Sequence, residues 1–249
     1  MKITSVKTHK ILAGEASLLE ILDAYLPEIK EQSVVAVTSK VVSVCEGRVV
    51  KIGEQDKDEL IKKECELYLS REKSKYGFSL TIKNNLLIPT AGIDESNGNG
   101  YYILWPKDPQ KSANEVRAYL QKRFSLANVG VLITDSKTTL LRLGVTGVGM
   151  AHSGFKALND FRGKPDIFGR ALKVTQVNVM DALAAATVLA MGESNEQTPL
   201  CVIEDVPFVQ FQRENPSQEE LAELRIALED DLYAPLLTSV PWEKGHNGT

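Results

Sequence analysis

Cysteine and histidine are scarce in this sequence, with only three of each among 249 residues. The cysteines are odd in number and widely spaced, which excludes a disulfide framework and a zinc signature; they are Cys45, Cys65 and Cys201. We expect three reduced, partly buried thiols in a cytoplasmic protein. The histidines are isolated from one another. His152 lies in a glycine-rich segment, where a structural role is the favoured interpretation and contact with a ligand is the alternative.

The sequence also has no surplus of basic residues and no long hydrophobic run. Its 29 basic and 33 acidic residues give a net charge of −4, so we expect neither nucleic acid nor an anionic membrane as a partner. The longest apolar stretch, residues 182–191, is far shorter than the roughly 20 residues of a membrane span. The first residues lack the apolar segment of a signal peptide. Hydrophobic residues at 43% and charged residues at 25% are typical of a folded globular protein.

Three common catalytic motifs are missing as well. There is no Gly-x-Ser-x-Gly, no Walker A sequence and no Gly-x-Gly-x-x-Gly that opens a helix. Gly147, Gly149 and Gly154 have the wrong spacing for the last of these. A serine hydrolase, a P-loop nucleotidase and a dinucleotide-binding enzyme are therefore disfavoured.

Local patterns predict both helices and strands. Ser17 and Glu20 form a capping-box pattern that opens a helix, which Pro27 should end. Further helices are predicted over residues 55–71, 112–124, 181–191 and 217 to about 232. Strands are predicted over 33–38, 129–134, 172–177 and 201–203, with a hairpin over 78–89. The two kinds of element do not alternate regularly, so we predict an α+β fold with mixed or antiparallel sheets and packed helices.

Three acidic residues occupy similar positions, each just past the end of a predicted element and beside small residues. They are Asp94, Asp135 and Glu193. Together with a hydroxyl group, such carboxylates would form an all-oxygen site that suits magnesium or manganese. The alternative is that each acid merely caps a turn.

Four sequence blocks that occur in the same order in a known family are spread over most of the chain. They are residues 41–48, 91–97, 133–136 and 169–193. In these blocks the chain, from about residue 3 to 205, resembles the γ-glutamyl ligases that add glutamate to the precursor of the deazaflavin coenzyme F420. The resemblance implies an acid–amino-acid ligase with an α+β fold, arranged as an intertwined homodimer. Residues 1–210 would form the catalytic domain, as one unit or as two intertwined subdomains, and 211–249 a C-terminal helix and loose tail.

The resemblance also implies roles for individual residues. Asp94 and Asp135 would be catalytic and would hold one divalent metal, magnesium or manganese. Ser136 and Glu193 would help to hold a second metal. The implied co-substrate is GTP, with ATP as the alternative, and its contacts would be Ser39, Lys40, Asn97, Met191, Gly192, Glu193, Ser194, Asn195 and Glu196. The acceptor carboxylate would form an acyl phosphate, which the amine of L-glutamate then attacks.

The chain departs from the family pattern at three places beside these blocks. Val44 replaces a lysine, residues 137–139 replace a Gly-Arg stretch, and Glu204 with Asp205 replaces an Arg-Gly pair. These departures favour the same reaction on a different acceptor, as in the branch of the family assigned to folate metabolism. We therefore predict a folate-type acceptor. The alternatives are the deazaflavin precursor as acceptor, or a nucleotide-binding relative that has lost catalytic turnover.

Overall fold

The computed structural model describes residues 1–247, in which a five-stranded sheet is packed between helices. The helices are α1 (Leu18–Tyr25), α2 (Ser39–Cys45), α3 (Lys57–Glu64), α4 (Pro109–Phe124), α5 (Val179–Met191), α6 (Gln218–Ala222) and α7 (Ala234–Leu237). The strands are β1 (Lys2–Val6), β2 (Ser33–Thr38), β3 (Val49–Lys51), β4 (Leu67–Leu69), β5 (Leu80–Lys83), β6 (Leu86–Pro89), β7 (Tyr101–Ile103), β8 (Val129–Thr138), β9 (Val145–Ser153), β10 (Leu158–Asp160), β11 (Gln176–Asn178), β12 (Leu200–Glu204) and β13 (Glu243–Lys244).

The central sheet has the order β1-β12-β2-β8-β9 and is mixed. Strands β2 and β8 run parallel, and each other neighbouring pair in this sheet is antiparallel. Residues of β2 alternate between two cores: Val35 and Val37 pack with α1 and α4, whereas Val34 and Ala36 pack with α5. A strand buried on both faces needs a continuous apolar sequence, as β2 has. The predicted α+β class with mixed and antiparallel sheets is confirmed.

A smaller sheet of the order β13-β4-β5-β6 lies beside the central one, with the two-stranded pairs β3-β7 and β10-β11. The predicted hairpin is confirmed as β5 and β6. Asn84 and Asn85 form its turn with positive φ angles of 49° and 62°. Asparagine adopts this left-handed conformation more readily than most residues do.

Several local predictions are confirmed because their signals lie within the element. Ser17 and Glu20 form the predicted capping box of α1, and Leu26 caps its end directly before Pro27. Helix α5 ends at Met191, and Gly192 follows with a φ of 82°. No helix within residues 1–247 is long and apolar enough to cross a membrane.

Other elements differ from the prediction where distant segments take part. The helix predicted over 55–71 ends at Glu64, because residues 67–69 pair with β5 as β4. Helix α4 begins at Pro109 and not at Ser112, since the Asp108 side chain accepts the amide of Lys111 and caps the helix earlier.

The C-terminal part differs most. The predicted helix from 217 keeps its capping box but ends at Ala222. The tail expected to be loose contains α7, and its strand β13 pairs with β4. Of the strand predicted over 172–177, only residues 176 and 177 are in a strand, as part of β11, which pairs with β10.

Candidate acid-rich site

The acidic residues meet where β2 and β8 approach α2. Strand β2 ends at Thr38, which pairs with Thr134, and the chain turns directly into α2 through Ser39 and Lys40. Asp135 follows Thr134 but lies inside β8, which continues to Thr138 because it remains paired with β9. The prediction that Asp135 stands past the end of its strand is therefore wrong.

The other two acids reach the site from loops. Asp94 follows a 3₁₀ turn over Thr90–Gly92, and its backbone forms an isolated bridge with Ile103. Glu193 follows Gly192 at the end of α5, as predicted. The site thus combines one residue fixed within a sheet with two that are carried by loops.

Asp94 is held by Lys40 and Ser96. The Lys40 Nζ lies 2.6 Å from the Asp94 Oδ2, and the carboxylate accepts the Ser96 amide at 2.7 Å and the Ser96 hydroxyl at 2.8 Å. Burial disfavours the charged form of Asp94, but the hydrogen bond and charge of Lys40 outweigh it, so the pKa of Asp94 is lowered. Asp94 is therefore ionised at neutral pH, with Lys40 as its counter-ion.

The pKa values of Asp135 and Glu193 are raised, in contrast to that of Asp94. Burial raises the pKa of Asp135 to about 6, and the charge of Asp94 acts in the same direction. Partial desolvation of its carboxylate raises the pKa of Glu193 as well, with further contributions from Asp94 and Glu196, although a hydrogen bond with Ser136 opposes them. These carboxylates share a region where negative charge exceeds the positive charge supplied by Lys40. A bound cation would relieve that excess.

Trp105 fixes the position of the Asp135 carboxylate. Its indole Nε1 donates to the Asp135 Oδ2 at 2.5 Å, and its backbone oxygen accepts from the Arg48 Nε at 3.1 Å. Gly92 leaves room for the indole, since a Cβ there would lie 2.1 Å from Nε1. The Lys83 Nζ lies 5.1 Å from the centre of an indole ring. Trp105 is thus held on several sides.

A partly buried ion-pair network lies next to Trp105. Arg48 and Lys83 both donate to Glu64 at 2.8 Å. Neither Trp105 nor this network could be predicted from the sequence, because the contributing residues are far apart along the chain. The one local signal was Gly92, which stands two residues before Asp94 and marks a close approach.

Of the predicted nucleotide-contacting residues, Ser39 and Lys40 begin α2 and Met191 ends α5, whereas Asn97 and residues 192–196 lie in two neighbouring loops. Asn97 Nδ2 donates to the backbone oxygen of Ser194 at 2.8 Å, and the amide of Ser194 donates to Glu196 at 2.8 Å. A side chain at Gly192 would collide with that of Glu196. Met191 differs from the rest of its segment because its side chain is buried in the core beneath the loop. Residues 192–196, including Asn195, are exposed and close to Asn97.

The residues at this site have the right chemistry to bind a divalent cation. They do not form a complete coordination shell. Asp94, Asp135, Glu193 and Ser136 offer the hard oxygen donors that magnesium and manganese prefer. Within residues 1–247, no three histidine, cysteine, aspartate or glutamate side chains converge as a ready metal site. Lys40 pairs with Asp94 in this arrangement, so a cation would compete with that ion pair.

The three departures from the family pattern do not all lie at this site. Val44 is buried in α2. Glu204 is bound by Lys2 at 3.1 Å and Lys30 at 2.8 Å. Because β12 is antiparallel to β2, Glu204 and Asp205 lie at the opposite end of the sheet from Lys40. Of the three, residues 137–139 alone continue directly from Asp135 and Ser136.

Comparison with known proteins decides the family. The model of the F420-0:gamma-glutamyl ligase family matches residues 5–205. The chain belongs to this family. It is similar to three archaeal proteins named coenzyme F420:L-glutamate ligase. The one from Methanopyrus kandleri is 36% identical over 210 residues, which are 78% of this chain and 82% of the relative.

The other two relatives are similarly well covered. The Methanococcus maripaludis protein (strain S2) is 34% identical over 77% of this chain and 82% of its own length. The Methanocaldococcus jannaschii protein is 32% identical over 78% of this chain and 84% of its own length. The predicted family and ligase activity are confirmed: the chain is a γ-glutamyl ligase.

Proposed function

We propose that this γ-glutamyl ligase joins L-glutamate to the precursor of the deazaflavin coenzyme F420. One observation carries this proposal: the relatives matched over about four fifths of their length are named for that reaction. The folate-type acceptor predicted from sequence rested on the three departures. Glu204 and Asp205 lie at the far end of the sheet and Val44 is buried, so the structure gives that prediction little support. The deazaflavin acceptor is better supported.

The proposed reaction proceeds through an acyl phosphate. An oxygen of the acceptor carboxylate attacks the terminal phosphorus of GTP or ATP, and the bond to the nucleoside diphosphate breaks. The amine of glutamate then attacks the acyl carbon, and phosphate leaves with one former carboxylate oxygen. Such transfer depends on positioning and on compensation of phosphate charge, for which no histidine or cysteine nucleophile is needed.

The residues of the site have distinct roles in this proposal. Asn97 and the loop 192–196 bind the nucleotide, and Lys40 offers a positive charge to its phosphates. Asp94 and Asp135, with Ser136 and Glu193, hold magnesium or manganese. When bound, the metal would neutralise phosphate charge. Trp105 keeps the Asp135 carboxylate oriented toward this region.

We further propose a cytoplasmic homodimer. The tip of the β8–β9 hairpin exposes Leu140, Leu141 and Leu143 to solvent, and Ile167 and Phe168 are exposed on another segment. Exposed apolar clusters of this kind mark association surfaces. The hairpin also carries Asp135, three residues before β8 ends at Thr138, so a second copy of the chain would pack near the site. The three free thiols suit a reducing compartment.

The acceptor is tested by product analysis. Purified protein is incubated with L-glutamate, GTP or ATP, magnesium or manganese, and either the deazaflavin precursor or a reduced folate. We expect a product one glutamyl residue heavier from the deazaflavin precursor, and no product from the Asp94→Asn variant. A product from folate alone would contradict the acceptor. Nucleotide binding without any product would favour the non-catalytic relative.

A further inference from the structure

Residues 161–175 form an arm, which continues the hairpin of β10 and β11 away from the core. Backbone hydrogen bonds join its two halves as far as Asp166, whose amide donates to the Arg170 oxygen at 2.7 Å. The Asp166 carboxylate accepts the amides of Phe168 and Arg170 at 2.8 and 2.9 Å, which fixes the turn at the tip. Within residues 1–247, the hydrogen bonds of the arm all stay inside this hairpin, and most of its residues are exposed. The arm is therefore an ordered turn that the rest of the chain leaves uncovered.

The base of the arm and the acid-rich site lie at opposite ends of α5. Strand β11 runs directly into the first residue of α5, whereas Glu193 follows its last turn, about 20 Å further along a helix of 13 residues. The β8–β9 hairpin points toward the Glu193 end, because a Cβ at Gly149 would contact Met180 and one at Gly147 would contact Ala184, one turn later. The tip of that hairpin is thus at the same end of the molecule as the acid-rich site, and the arm begins at the other.

The arm and the tip of the β8–β9 hairpin both expose large apolar side chains. On the arm, Ile167, Phe168 and Val174 are 92%, 82% and 83% exposed, and on the hairpin Leu141 and Leu143 are completely exposed. Folded proteins rarely leave such clusters uncovered. In a dimer with two-fold symmetry, a contact between two different patches occurs twice. A contact between the arm of one copy and the hairpin of the other therefore covers all four clusters and closes the dimer.

The charge of the arm is opposite in sign to that of the acid-rich site. Residues 161–175 contain four basic residues and one acidic residue, although the whole chain has a net charge of −4. The Arg170 side chain is 84% exposed, and its ion pair with Asp166 is 3.4 Å long. In the acid-rich site, Lys40 faces three carboxylates, and bound phosphate groups would add more negative charge. Opposite charges favour a contact between these two regions.

We propose that the arm of one subunit packs on the β8–β9 hairpin of the other and brings Arg170 to that subunit's acid-rich site, where its guanidinium binds a substrate phosphate. This inference rests on the proposed function, which supplies the dimer and the phosphates. From Leu158 to the turn at Asp166 the hairpin spans up to about 26 Å, which is long enough to cross a subunit boundary. A guanidinium donates two parallel hydrogen bonds to phosphate oxygens and compensates their charge during phosphoryl transfer. Each site is then complete only with both subunits.

Mixed dimers test whether Arg170 acts in the other subunit. Arg170→Ala and Asp135→Asn chains with different affinity tags are co-expressed, and the heterodimer is purified through both tags. Each variant homodimer should have less than about a tenth of wild-type turnover. The heterodimer should recover about half of wild-type turnover, because one of its two sites combines intact acids with an intact arm. If Arg170 served its own subunit, the heterodimer would have no complete site.

Arg162→Ala is the matched control for Arg170→Ala. It removes the same charge from the same arm, but Arg162 is paired with Asp160 at the base of the hairpin. Its turnover should equal that of wild type. Calorimetric titration with magnesium GTP then identifies the phosphate. Binding about tenfold weaker in Arg170→Ala assigns it to the nucleotide. Unchanged nucleotide binding with a raised KM for the deazaflavin precursor assigns it to the precursor's phosphodiester.

Cross-linking tests the contact between arm and hairpin without any turnover. The chain used has its three native cysteines replaced by serine, and it carries Phe168→Cys together with Leu141→Cys. A short bismaleimide should convert this double variant to a covalent dimer on a denaturing gel. Each single variant, treated in the same way, should remain largely monomeric, because the two arms do not contact each other and neither do the two hairpins.

Three results would each overturn the inference: a heterodimer as slow as Arg170→Ala, wild-type kinetics and nucleotide binding in the Arg170→Ala homodimer, or no cross-link in the double variant. If the wild type adds glutamate to the deazaflavin precursor and one of these results is obtained, the arm assignment is wrong and the proposed function stands. If the cross-link forms and Arg170→Ala binds GTP more weakly but no precursor is extended, the arm assignment stands and the proposed function fails.

Discussion

Replacing Asp135 by asparagine should abolish ligation and yet stabilise the protein at alkaline pH. Burial and the nearby charge of Asp94 raise the pKa of Asp135 from 3.8 to about 6. Above that pH the folded state must keep a carboxylate ionised where it is disfavoured, which costs stability. Asparagine is neutral, and its side-chain oxygen can still accept from Trp105. The substitution removes the unfavourable charge and keeps the hydrogen bond.

The magnitude follows from the pKa difference. A raised folded-state pKa means that the native state binds more protons than the unfolded chain between about pH 4 and 6, so stability increases as the pH falls through that range. At about 1.4 kcal/mol per pKa unit, the fully ionised carboxylate costs at most about 3 kcal/mol. The Asp135 side chain is only partly shielded from solvent. We therefore expect Asp135→Asn to gain about 1–2 kcal/mol at pH 8, or about 2–8 °C in Tm.

Thermal and urea unfolding at pH 8 and pH 5, at equal protein concentration, would measure this. The gain should be present in full at pH 8 and about half as large at pH 5, because at pH 5 the folded carboxyl is mostly protonated while the unfolded one is still mostly ionised. Asp166→Asn is the control, because backbone hydrogen bonds from Arg170 and Phe168 lower the pKa of Asp166. That variant should be slightly less stable than wild type at both pH values. The reasoning would be refuted if Asp135→Asn were less stable than wild type at pH 8, or if its stability differed from that of wild type by the same amount at both pH values.

Three further predictions concern charge, assembly and thiols. Lys40→Met removes the counter-ion of Asp94, so we expect the Asp94 pKa to rise and nucleotide affinity to fall by about tenfold. Carboxyl NMR would measure the pKa, and calorimetric titration would measure the affinity. An unchanged affinity would contradict the role of Lys40. The double variant Leu141→Asp, Leu143→Asp places charges on the exposed hairpin and should yield a monomer by light scattering; an intact dimer would place the interface elsewhere. Replacing all three cysteines by serine should lower stability but change turnover by no more than a few-fold. Burial raises the pKa of each thiol to about 11, which leaves the thiols unreactive. Loss of turnover in a folded variant would implicate a thiol.

Elements with local signals could be predicted from the sequence. The capping box of α1 and the glycine after α5 lie within a few residues of the helix ends that they determine. Residues 34–37 of β2 are all apolar because both faces of the strand are buried. Each of these patterns is complete within a short window, so no knowledge of distant contacts is needed.

Elements that depend on distant partners could not be predicted. Residues 67–69 form a strand only because β5 and β13 lie beside them, and β13 comes from the other end of the chain. Asp135 lies within β8 because β9 keeps pairing beyond Thr134. The site shows the same difference. Its acidic residues stand in short motifs that can be recognised in the sequence, whereas Trp105 contacts Asp135 from thirty residues away in the chain.

If this oxygen-rich site activates the acceptor carboxylate by phosphorylation, one oxygen of that carboxylate must end in the released phosphate. An oxygen-transfer experiment tests it most directly: the deazaflavin precursor carries ¹⁸O in its carboxylate, and the released phosphate is analysed by mass spectrometry. We expect one ¹⁸O atom to be transferred to phosphate for each glutamate added, with no transfer in Asp94→Asn or Asp135→Asn. Phosphate free of ¹⁸O from the acceptor, alongside normal product formation, would contradict an acyl phosphate at this site.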